Sequence, residues 1–168
     1  MMRLFCCLLC FVTPLLGEHW VKFDFPNPAK KWKENYEAQE KQMRIIEYIP
    51  EEENADKWTE MVTVQSFDGV NTEPEKFFDL MIKELQQRVP NNEVSHRLII
   101  KKPDQLLAEW WIDDHSPSDQ RELIRIFQVD DTLLALRYTT NSFSDTALRR
   151  KIWTEVLKNA QVTASETP

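Results

Sequence analysis

At 168 residues, 42% hydrophobic and 29% charged, the chain is too apolar for intrinsic disorder and long enough for one domain with a real core. Its formal charge is −7, from 28 acidic against 21 basic residues, and a surface of that sign repels nucleic-acid phosphates and anionic lipid. Another protein, neutral or basic, is the partner this charge favours.

The N-terminus carries one positive charge, Arg3, then an apolar run from Leu4 to Leu16, then Gly17 and the first acid, Glu18. That is the anatomy of a secretory signal peptide, with cleavage expected after Gly17 and export to the periplasm or outside a bacterial cell. The run is shorter than the ~20 residues a membrane-spanning helix needs, so no transmembrane segment is expected once it is removed. All three cysteines, Cys6, Cys7 and Cys10, lie inside it, which leaves the mature chain without a disulfide, a thiol nucleophile or a thiolate metal site. Residues 18–42 then read as an N-terminal extension, 43–160 as a single α+β domain and 161–168 as a disordered tail.

Trp20 to Phe25 has the character of an edge strand ended by Pro26 and Pro28. Lys30 to Lys41 is open to two readings, a solvated irregular segment or a short helix docked through Trp32 and Tyr36. Met43–Ile49 and Met61–Phe67 are strands, joined by an acidic loop in which Trp58 folds back over the sheet. Thr72-Glu-Pro-Glu75 announces a helix, with the Thr72 hydroxyl as cap and Pro74 in the first turn. Phe77, Phe78, Met81, Ile82, Leu85 and Val89 form its apolar stripe.

Four strands follow, over Ser95–Lys102, Gln105–Asp113, Glu122–Val129 and Thr132–Thr139. Turns at Pro103-Asp104 and Asp130-Asp131 predict two antiparallel hairpins. Leu134, Leu136 and Tyr138 share one face of the last strand, whereas Leu133, Ala135 and Arg137 share the other, which suits a sheet covered mainly on one side. Ser144-Asp145 caps a final helix with the buried stripe Leu148, Ile152, Trp153, Val156, Leu157 and Ala160. Arg149, Arg150 and Lys151 are taken as a solvated charged face.

The predicted fold is α+β, an antiparallel sheet of about six strands in the order β-β-α-β-β-β-β-α, flanked by two helices. That order resembles the PsbP-like fold of exported and lumenal accessory proteins over roughly Met43 to Ala160. The resemblance implies a binding role and assigns no site residue.

The mature chain has one glycine, Gly69, so phosphate loops, dinucleotide fingerprints and nucleophile elbows are excluded. No cofactor is expected. His19 reads as part of a floppy terminus and His96 as a strand histidine. Asp113, Asp114 and His115, after Trp110 and Trp111, are weak metal-ligand candidates, because adjacent residues on an extended chain point to opposite sides. The two tryptophans must likewise face opposite ways. Together with Trp58, Leu133 and Ala135 they make a candidate protein-binding patch. The favoured expectation is a non-enzymatic exported accessory module. The alternative is a small metal-dependent hydrolase built on Glu109, Asp113, Asp114 and His115.

Overall fold

The computed structural model describes residues 19–112, 120–141 and 146–164. The chain runs β1 (His19–Lys22), β2 (Trp32–Glu40), β3 (Met43–Pro50), β4 (Glu60–Asp68), α1 (Pro74–Arg88), β5 (Val94–Lys102), β6 (Gln105–Ile112), β7 (Gln120–Val129), β8 (Thr132–Thr140), α2 (Thr146–Asn159) and β9 (Gln161–Ala164). The fold is α+β: a seven-stranded antiparallel sheet in the order β2-β3-β4-β8-β7-β6-β5, with two helices, and a two-stranded ribbon of β1 and β9. Among the described residues no helix is long and apolar enough to cross a membrane.

Three hairpins turn on two residues each, at Lys41-Gln42, Pro103-Asp104 and Asp130-Asp131. Lys41 (φ 50°) and Asp130 (φ 52°) take the left-handed conformation that such tight turns require. β8 sits in the middle, paired with β4 on one side and β7 on the other.

The sheet is covered on both faces, not on one. α1 lays Phe77, Phe78, Met81, Ile82, Leu85 and Val89 against Leu106, Ala108, Ile124, Ile126, Leu133 and Ala135. α2 and the β1–β9 ribbon bury the opposite side, with Trp153, Leu157, Ala160 and Val21 over Leu107, Leu123, Leu134, Leu136 and Tyr138. This explains why Leu133–Leu136 is apolar at every position where a half-solvated strand would alternate.

Four expectations are corrected. Lys30–Lys41 is neither irregular nor helical, because Trp32–Glu40 forms edge strand β2, half-buried at Trp32 and Ala38 and bulged between Glu34 and Tyr36. An edge strand satisfies one side of its backbone in water, so its sequence can stay polar. The 161–168 tail begins as β9, and its partner β1 holds His19, whose Nε2 lies 3.2 Å from Asp130 Oδ2. α1 starts without the Thr72 cap: Glu73 is the N-cap residue and makes no side-chain cap bond, while Pro74 opens the helix as expected. Glu75 instead pairs with Lys101 of β5 at 2.7 Å. The Ser144-Asp145 cap lies outside the described residues.

Candidate functional site

Among the described residues the mixed composition of the strands leaves three carboxylates inside the fold, at Glu60, Glu109 and Glu122, each under 5% exposed. A buried charge persists only when paired and hydrogen-bonded, and all three are. Glu60, at the start of β4, accepts from Tyr138 Oη at 2.6 Å, pairs with Lys30, and has Arg149 Nη1 at 3.5 Å. Glu109 on β6 accepts from Arg97 Nε at 2.6 Å and Arg150 Nε at 2.8 Å. Glu122 on β7 accepts from Trp110 Nε1, Arg137 Nε and Nη2, and Thr139 Oγ1, all at 2.8–2.9 Å. Arg149 and Arg150 thus serve buried acids, and the expected solvated basic face keeps only Lys151 exposed. The carboxylates are structural ties, and burial with the Glu60 bond raises the Tyr138 hydroxyl far above its ordinary range.

Near Arg137, burial raises the Glu47 carboxyl above the usual carboxylate range, with Arg137 acting against that shift. The folded protein therefore keeps the Glu47 proton to a higher pH than the unfolded chain does. It binds more protons than the unfolded chain between the two values, so stability falls as pH rises through that window. Glu47→Gln is expected to remove this part of the pH dependence, which thermal melts across roughly pH 4 to 7 would read. An unchanged slope would sink the assignment.

Of the residues first considered for partner binding, Trp110, Leu133 and Ala135 are at most 2% exposed, so they cannot form a surface patch. α1 buries them, and Trp110 is held further by its bond to Glu122. Trp111 does face the other way, half-buried, with the guanidiniums of Arg97 and Arg121 5.7 and 5.8 Å from its ring. Trp58 is half-buried in the β3–β4 loop, far along the chain from the rest, and its carbonyl accepts from Asn141 Nδ2. Asp113, Asp114 and His115 lie outside the described residues. Glu109, the remaining member of the alternative site, is occupied by its two arginines. His96 stands on β5 with its ring edge-on to Phe78. Among the described residues no three His, Cys, Asp or Glu side chains are grouped to hold a metal ion.

An exposed apolar pair lies elsewhere, on α2. Its stripe was expected to be buried throughout, yet Leu148 is 60% exposed and Ile152 40% exposed. The sheet-facing side of α2 is Trp153, Leu157 and Ala160, and Leu148 and Ile152 are turned away from it toward the segment that follows β1. Phe23, Phe25 and Pro26 from that segment, with Leu148, Ile152 and Val156, line a groove of about 770 Å³. Lys22, Asp24, Lys151 and Glu155 form its mixed-charge margin.

Aromatic packing fixes the groove wall. Phe23 meets Phe25 edge-on at 5.0 Å, Phe25 stacks on Trp32 at 5.0 Å, and Trp32 meets Trp153 edge-on at 5.7 Å. Trp153 in turn stacks on Tyr138 at 4.2 Å, whose hydroxyl is bonded to Glu60. The wall is thus anchored in the core through contacts each worth about 0.5–1.5 kcal/mol beyond burial. The signal for this site is in the sequence, as Trp20, Phe23, Phe25 and Trp32 crowd a short stretch, but it points to a groove only once α2 is placed beside it.

A protein-family model matches residues 26–163. No curated protein matches the chain. Among solved structures, a mutant of the protein Mog1 is similar at 9% identity and a TM-score of 0.47, over 71% of this chain and 79% of that one.

Proposed function

The chain belongs to the family so matched, over a span that takes in β2, both helices and most of β9, and for this unit we propose a non-enzymatic accessory role. In this reading the protein is exported to the periplasm or outside a bacterial cell and holds an apolar segment of another protein in the groove beside α2. The observation that carries it is the pair Leu148 and Ile152, large aliphatic side chains left 60% and 40% exposed on a helix whose other side is sealed. The excess of acidic over basic residues selects an occupant with apolar anchors flanked by basic residues. The pairing of Glu60, Glu109 and Glu122 supports a scaffold rather than acid–base chemistry, and the element order that resembles the PsbP-like fold agrees with an accessory role.

Crosslinking and mass spectrometry on native cells test it, comparing wild type with a Leu148→Asp, Ile152→Asp double variant. Both side chains are exposed, so melting should move little, within about 0.5 kcal/mol per site. A defined partner should be captured by wild type and lost by the variant, on a protein whose first residue is Glu18. Equal capture by the two, or a chain still carrying Met1–Gly17, would overturn the reading.

A further inference from the structure

A second cavity lies on the same side of the sheet, at the end where α2 runs into β9. It measures about 500 Å³ and includes Gln105, Arg125, Phe127, Val129, Lys158 and Val162 in its lining. Arg125 is the anomaly. It stands on β7 between Leu107 and Leu136, in a core row, and is 5% exposed.

Several other guanidiniums at the sheet have acidic partners: Arg97 and Arg150 on Glu109, Arg137 on Glu122 and Arg149 on Glu60. Arg125 has no carboxylate in salt-bridge contact among the described residues; the charge of Asp104 reaches it only through space. Its Nη2 donates to Gln105 Oε1 at 2.5 Å and its Cζ lies 4.7 Å from the Phe127 ring centroid. Its Nε and Nη1 are sealed from solvent without a hydrogen-bond acceptor. Burial disfavours the charge, against the favourable field of Asp104; a buried cation with no ion pair and with idle donors is costly, and such a group persists where an anion completes it.

We propose that this cavity binds a monocarboxylate with an apolar body, its carboxylate taking the guanidinium of Arg125 in place of the Gln105 amide. The planar fork of donors matches a carboxylate. Lys158, paired with Glu155 at 2.8 Å, also lines the cavity, and Phe127, Val129 and Val162 supply an apolar wall. Asp104, also in the lining, and the negative end of α2 oppose a multiply charged anion such as a phosphate. The volume is within the range of small-ligand sites.

The same chemistry has two sources, a free carboxylic acid and the C-terminal carboxylate of a protein chain. Titrations of the full-length protein, read by the Arg125 Nε–H resonance and by calorimetry, separate them with four probes. These are octanoate, octanol, and a Phe-Val-ended peptide with a free or an amidated terminus. Binding of octanoate without octanol identifies a free acid, and binding of the free peptide without its amide identifies a chain terminus. Either supports the site. Arg125→Met should weaken binding at least about tenfold while raising or preserving the melting temperature, since it removes a buried charge that has no ion pair.

Gln105→Ala, which leaves the cation in place and frees its donor, should tighten binding, a result that misfolding of Arg125→Met could not mimic. Leu148→Asp should change nothing here, so failure of the groove and failure of this site are distinguishable. Equal binding of octanol and octanoate, or no shift of the Arg125 resonance with any probe, would refute the proposal.

Discussion

Glu122→Ala is expected to cost about 3–5 kcal/mol, because it strands the partners of a buried carboxylate rather than merely removing contacts. Among the described residues Arg137 would keep Gln65 Oε1 at 3.3 Å as an acceptor, and Trp110 Nε1 and Thr139 Oγ1 would lose theirs inside the sheet. For a chain of this length that is a fall in melting temperature of roughly 10 °C. The companion double variant Glu122→Leu, Arg137→Met removes both charges together and should recover much of the loss. Thermal and urea melts of the three proteins decide it. A single variant costing under about 1 kcal/mol, or a double variant no better than the single, would show that the network does not hold the sheet as described.

Trp153→Ala should be comparably severe, at about 3–5 kcal/mol, from a side chain 3% exposed that joins the two halves of the aromatic chain. It stacks on Tyr138 and meets Trp32, so its loss detaches β2 and the groove wall from the core. Hydrogen exchange should therefore show protection falling first at the β2–β3 hairpin while the α1 side keeps its own. Ile152→Ala, one residue away and turned outward, should stay within about 0.5 kcal/mol. Uniform loss of protection across the sheet would argue against this local coupling.

The parts of this fold that could be read from sequence are those where local pattern and tertiary role agree. Phe77, Phe78, Met81, Ile82, Leu85 and Val89 repeat at helical spacing and all pack on the sheet. The turns at Pro103-Asp104 and Asp130-Asp131 placed four strands within a residue or two. β2 was not legible, since an edge strand with Glu34, Glu37 and Glu40 outward looks like a solvated segment. β9 was too short and polar to stand out, and only its pairing with β1 makes it a strand.

Three members of the expected patch, Trp110, Leu133 and Ala135, are buried for a related reason. Leu133 and Ala135 look outward if a sheet has one covered face, but α1 covers the second. Conversely Leu148 and Ile152 share the helical period of the buried stripe, and periodicity cannot tell a core-facing residue from one facing an open groove. Arg125 gave no signal at all, because a lone arginine in an apolar strand gains its meaning from the absence of a carboxylate across the sheet.

The order of strands also bears on how fast the protein can fold. The central pair β4–β8 joins segments on either side of α1 and three further strands, and β1–β9 joins the two ends of the described chain. Each requires closing a long loop before its contacts return any free energy, so neither can form while the C-terminal third is still being made. Hairpins β2–β3, β5–β6 and β7–β8 can appear early, but the sheet cannot be sealed until β8 inserts between β4 and β7. The nascent chain therefore stays loose until synthesis is nearly complete. A polypeptide threaded across a membrane before it folds would gain from that delay.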